Sequence, residues 1–174
     1  MSVNPDNLYL KVLNVDGSPC HGGTGTWHLP RGSKPGQWMP PVKPVPCQSG
    51  YHVLGSARQA LEWIGPAFFL CEVRGEVIDH SDKFVAEQAR LVERLPWDDR
   101  SARLFAADCA EDVLPIFERD HPGDDRPRCA IEAARLFADG LIGSSELAAA
   151  RAAARDAAWD AQAVRLAGYL GIEP

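Results

Sequence analysis

GYHVLGSARQALEWIGPAFFLCEVRGEV, residues 50–77, reads as a short strand, a capped amphipathic helix and a buried strand. Val53 and Leu54 close an extended run, and Ser56 can accept a bond from the free N–H groups of the turn that follows. Ala57, Ala60, Leu61 and Ile64 recur at three- and four-residue steps and predict one apolar helical face. Gly65-Pro66 stops that helix, because glycine tolerates left-handed geometry and proline cannot continue it. Ala67 to Cys71 is a continuous apolar run of strand length, and Glu72, Arg74 and Glu76 begin a solvent-facing alternation. On this reading Leu61 and Phe69 pack together beneath a sheet.

Working outward, Leu8 to Val15 alternates as a strand, and Asp16-Gly17 signals a turn. The Pro/Gly-rich loop 20–48 carries Pro30, Pro35, Pro40, Pro41, Pro44 and Pro46. Proline excludes helix there and removes donors from any central strand. Irregular loops and short edge strands, anchored by Trp27 and Trp38, are expected. A loop this long is most often either functional or disordered. Downstream, Asp79 to Asp82 reads as a turn, and Phe84 to Leu95 fits helix or strand, with strand favoured for ARLVERL at 89–95.

Beyond Pro96 the pattern is helical. Ala102, Phe105, Ala106, Cys109, Ala110, Val113, Leu114 and Phe117 step by threes and fours, and Pro115 should kink this helix or end it early. Asp125 is placed to cap a second helix starting near Pro127 and ending at Gly140. A third, alanine-rich helix runs from about Ser145 to Leu166. Its like-charged pairs, Arg151 with Arg155 and Asp156 with Asp160, each cost about 0.2–0.5 kcal/mol. Such a helix depends on a partner surface. The expected class is α+β: a small mixed or antiparallel β domain with one packed helix (1–96), then a helical hairpin and tail (97–174).

Charge separates the halves further. Residues 1–96 hold nine acidic and nine basic side chains, and residues 97–174 hold fifteen and nine, so the net −6 belongs to the second half. That balance disfavours nucleic acid, whose phosphates need Lys and Arg to neutralise them. No basic-then-apolar leader opens the chain, and no apolar run approaches a membrane span, so a cytoplasmic protein is expected. Five cysteines, an odd number, favour free thiols.

Cys20, His21, Cys47 and His52 are zinc-type ligands, and a tetrahedral site would gather thiolates and imidazoles from such a loop. The spacing of two cysteines by two residues is missing, so no metal is expected; Cys20, Cys47 and His52 remain the candidates were zinc to bind. In the plainer reading Cys20 and Cys47 are small buried residues and His52 a hydrogen-bonded pocket residue. Cys71 and Cys109 lie on apolar faces and read as core. A Cys47–His52 nucleophile and base would lack a third, orienting group. HGGTGTW at 21–27 has no following Lys or helix, so it is not a phosphate-binding P-loop. Arg126 and Arg128 could hold an anion at a helix start, but Asp124 and Asp125 are placed to neutralise them.

Three resemblances add to this. The pattern CHGG…W…G…W…C..GYHV…AL.W.GP…CEV.GE, then DK.V…ARLV, resembles a family of small proteins in actinobacteria and their phages over about residues 8–95. LFAADCAEDVLPIFERDHPGDDRPRCAIEAARLFADG is similar to a helical module of immunity proteins of bacterial toxin systems, over about residues 101–155. This implies a non-catalytic recognition protein, immunity-like or associated with a phage or mobile element, whose acidic helices bind a protein partner without a cofactor. A phage structural component is another alternative.

The order of elements also resembles the ADP-ribosyltransferase fold, a split mixed sheet that grips NAD. That resemblance implies NAD as cofactor, with His21 and Gly22 holding the nicotinamide amide and ribose. His52 in the Gly50–Val53 strand would supply the stacking ring, Ser56 would open the helix, and Phe69 to Val73 would match a strand reading close to LLCEV. The fold's catalytic glutamate would fall near Asp82 and Lys83, which makes Asp82, one methylene shorter, the catalytic candidate.

Overall fold

Lys83 is where the helix-or-strand choice is settled. In the computed structural model, which describes residues 8–170, everything from Lys83 to Arg94 is one strand. The chain is α+β and divides into two units, Met1–Asp98 and Asp99–Pro174.

The first unit holds strands β1 (Leu8–Leu13), β2 (Tyr51–Val53), β3 (Ala67–His80) and β4 (Lys83–Arg94), in the order β1-β3-β4-β2. Each pairing between these strands is antiparallel, so the mixed-sheet alternative is not realised among the described residues. The expected turn at Asp79–Asp82 narrows to Ser81-Asp82, because Asp79 and His80 still pair with Phe84 and Lys83.

Two irregularities bend the β3–β4 hairpin, at Leu70/Cys71 and at Arg74/Val77. Gly75 is required at the second. Its φ is 79°, and a Cβ there would collide with the Glu87 carboxylate, which accepts the Glu76 N–H at 3.1 Å. Bulges of this kind bend and twist a strand. The curvature brings the two outer strands together, and Leu10 and Leu54 exchange backbone bonds. The closed sheet encloses Leu13, Val53, Ala67, Phe69, Cys71 and Leu91. A second cluster, Val12, Leu54, Ala60 and Phe68 with Trp63 and Trp97 against it, forms outside.

The expected helix over Ala57–Ile64 is shorter than its apolar pattern. Ala57–Ala60 is a single α turn (α1), with Ser56 Oγ accepting the Gln59 N–H as predicted for a cap, and Leu61–Trp63 tightens into a 3₁₀ turn. Three residues per turn instead of 3.6 changes which side chains face inward. Ala60 and Trp63 join the outer cluster, while Leu61 is 57 % and Ile64 39 % exposed. The expected packing of Leu61 on Phe69 is therefore not formed; Phe69 is enclosed within the sheet at 1 % exposure.

The loop 20–48 is seated on this sheet. Trp27 is buried in the interior cluster, and Trp38 lies under the guanidinium groups of Arg74 and Arg90, 4.1 and 4.8 Å from its ring centre. Gly36, Met39 and Val42 donate their N–H groups to the carbonyls of Leu91, Ala89 and Glu87.

The second unit contains α2 (Asp99–Asp120), α3 (Arg126–Ala138) and α4 (Ser144–Leu170). Pro115 does not end α2, which runs on to Asp120. One missing N–H is outweighed where a neighbour such as Leu114 is buried. Cys109 is exposed rather than core, because the buried line runs through Ala107 and Leu114 and a residue two positions on from Ala107 faces away. Asp125 occupies the N-cap position of α3 without a side-chain cap bond; Asp124 Oδ1 accepts the Arg126 N–H at 3.2 Å instead. The expected tail is a third packed helix, since α3 packs against both α2 and α4.

Candidate functional site

A cleft of about 470 Å³ opens beside the β1–β2 seam. Lys11 and Val12 of β1 form one wall, and residues 20–23, Cys47, His52, Leu54, Trp63 and Lys83 complete the lining with Pro19 and Gln48. The Lys11 ammonium donates to the His52 carbonyl at 2.8 Å and lies 4.9 Å from the centre of the Trp27 ring. The Lys83 ammonium lies 4.5 Å from the Trp63 ring centre and pairs with Asp82 at 3.2 Å. Both contacts with indole faces are of the kind that steadies a partly desolvated cation.

The two histidines are fixed in different ways. His21 Nε2 sits 3.0 Å from the Trp63 carbonyl, an acceptor, so this nitrogen carries the proton and donates. His52 Nε2 accepts the Cys47 N–H at 3.2 Å. The left-handed backbone at Cys47, with φ 62°, turns that N–H towards it. Burial, then the charges of Lys11 and Lys83, lower the His52 pKa and favour the neutral ring.

Desolvation lowers the Lys11 pKa to about 8. It raises that of the Cys20 thiol, while burial pushes Cys71 up to about 12, which leaves both unreactive as thiolates. At Asp82 desolvation is the largest single influence and works in the opposite sense, but the bond and charge of Lys83, its own backbone N–H and the bond from His80 together hold the carboxyl below its ordinary value. Gly65 packs closely against two of the lining residues: a Cβ there would stand 2.6 Å from Val12 Cγ1 and 2.9 Å from Cys20 Sγ.

His21, Gly22, His52, Cys20 and Cys47 thus share one cleft. Ser56 is outside it, occupied in capping α1. Asp82 lies in the β3–β4 turn and reaches the cleft only through Lys83. Cys20 is half-buried and Cys47 exposed, so neither is the small buried residue of the plainer reading. Among the described residues no three His, Cys, Asp or Glu side chains group to hold a metal ion. Sequence reasoning missed Lys11 and Lys83. The signal for Lys11 was present, since Tyr9, Lys11 and Leu13 share one strand face and a lysine there is directed inward.

The helical unit carries a different feature, an apolar groove of about 730 Å³. Ala102, Ala106 and Ala110 of α2 line it at four-residue steps, Ala130 and Ala134 come from α3, and Ala154 and Ala158 from α4. Ion pairs brace the helices around it. Arg135 binds Asp108 and Glu111, Arg128 binds Glu118, Arg100 binds Asp139, and Arg126 binds both Asp124 and Asp160. Asp124 therefore neutralises Arg126 as expected, but Glu118 and not Asp125 serves Arg128. Arg103 and Arg151 line the groove, and neither has a carboxylate partner among the described residues; Arg103 lies 4.9 Å from the Phe137 ring centre. No helix among the described residues is long and apolar enough to cross a membrane.

No curated protein and no solved structure matches the chain. Residues 98–169, nearly the whole helical unit, match the model of a family described as "Imm-5 like putative immunity protein".

Proposed function

We propose that this chain is a non-catalytic recognition protein of the immunity type, whose helical unit binds and neutralises a toxin-class protein partner. The observation that carries the reading is the family match over residues 98–169. The groove supports it. Alanine ladders on three helices leave a shallow trough into which a partner helix brings large apolar side chains, as knobs enter holes. Arg103 and Arg151 at the lining favour an amphipathic helix with an acidic flank.

The test is growth rescue. The chain is co-expressed with toxin domains from its own genetic neighbourhood, beside an Ala106→Trp/Ala134→Trp variant whose groove is filled. The reading expects one toxin to be neutralised and to co-purify with the wild type, and the filled variant, folded by circular dichroism, to lose both. Rescue of none of them, or rescue that survives the filled groove, overturns it.

A second reading, an NAD site like that of the ADP-ribosyltransferases, draws support from one observation: His21, Gly22 and His52 line the same cleft. The position of Asp82 behind Lys83 weighs against transfer chemistry there.

A further inference from the structure

We propose that the cleft of the sheet unit binds a small organic phosphate, with the phosphate held between Lys11 and Lys83 and the organic body against Val12, Leu54 and Trp63. This site is separate from the helical groove and does not depend on the partner proposed for it.

The charge of the lining comes first. Among the described residues two ammonium groups line the cleft, and no Asp or Glu does. Asp82, outside the lining, pairs with Lys83 and faces His80 and Ser81, and no carboxylate among the described residues pairs with Lys11. Each ammonium has three donors and spends one, Lys11 on the His52 carbonyl and Lys83 on Asp82, so both retain donors for a ligand. A phosphate presents three oxygens to these remaining donors where a carboxylate presents two.

Backbone donors add to this. Gly22 and Gly23 both have positive φ, 83° and 96°, and their N–H groups have no hydrogen-bond partner among the described residues. Nothing stands within 4 Å of where a Gly22 Cβ would be. Consecutive free amides on a glycine turn suit an oxyanion. The His21 Nε2 proton is already committed to the Trp63 carbonyl, and the neutral His52 ring accepts from Cys47, so neither imidazole competes as a base. The volume of about 470 Å³ exceeds what inorganic phosphate fills, and Val12, Leu54 and Trp63 give the remainder an apolar wall.

Three probes that share a phenyl ring and differ in headgroup decide the matter on the full-length chain: phenyl phosphate, benzoate and phenol, followed by the NMR signals of the lysine ε-carbons. Phenyl phosphate should shift Lys11 and Lys83 saturably and raise the Lys11 titration midpoint from its value of about 8. Benzoate should bind at least about ten-fold more weakly, and phenol not measurably. Lys11→Met and Lys83→Met should each weaken phenyl phosphate by about ten-fold or more. Equal binding of benzoate, binding of phenol, no saturable shift with phenyl phosphate, or undiminished binding in the folded double variant would each overturn the proposal. The wild-type comparison of probes stands even if a variant fails to fold.

Discussion

Leu10 and Leu54 exchange both of their backbone hydrogen bonds, at 2.7 and 2.8 Å, and this bridge helps to join the outer strands of the sheet. Leu54→Pro removes one donor and leaves the Leu10 carbonyl unpaired, so it should cost about 1–3 kcal/mol. Urea denaturation measures the loss, and hydrogen exchange should show the Leu10 amide losing protection. Unchanged stability would mean that the seam contributes nothing to closure.

The side chains of the organising stretch make unequal contributions. Phe69 is enclosed, and Phe69→Ala should cost about 3–5 kcal/mol. Leu61 is 57 % exposed, and Leu61→Ala should stay within about 0.5 kcal/mol. Equal losses in the two variants would place Leu61 back in the core.

Lys11 makes the sheet unit sensitive to alkaline pH. Its ammonium ionises at about 8 in the folded chain against an ordinary 10.5, so between these values the unfolded chain binds the extra proton. Stability from this group therefore rises as pH rises through that window, and below about 8 the full penalty of the buried charge is present. Lys11→Met should raise stability at neutral pH and abolish the rise. A denaturation series across the window checks both; a slope that persists in the variant would locate the titration elsewhere.

NAD should not be turned over. Asp82 stands outside the cleft lining, is held by Lys83, and is a methylene short of the expected glutamate. Charge of this kind acts only when it is preorganised at the reacting atoms. A labelled-NAD transfer assay on the wild type and on Asp82→Ala checks the point. Turnover in the wild type that vanishes in the variant would make the protein a transferase.

Local chemistry was legible where it acted over one or two turns of chain. Ser56 as a cap, the strand from Ala67, the turn before Lys83 and the three C-terminal helices all follow from spacing and breakers. Facing was harder to read. The apolar set Ala57, Ala60, Leu61 and Ile64 assumes 3.6 residues per turn, and a 3₁₀ turn after Ala60 redirects half of it. Of the two outcomes expected at Pro115, an early end to the helix does not occur, because burial around Leu114 is a tertiary effect. In the site, His21 and His52 could be named from their residue types. Their meeting with Lys11 depends on closure of the sheet through Leu10 and Leu54, which no local pattern encodes. The helical resemblance proposed for about 101–155 lies within the matched region 98–169.

The seating of Gly36, Met39 and Val42 on β4 also governs what can join this sheet. A bare flank of β4 would offer Glu87, Ala89 and Leu91 carbonyls to any incoming extended chain, the usual start of edge-to-edge assembly. Here those acceptors are already taken by a segment that contains Pro40 and Pro41 and is flanked by Pro35 and Pro44, residues with no N–H to pass on. The covering segment is therefore a poor template itself, and strand addition ends with it. A partner must recognise side chains on this flank, because the backbone there is closed to it.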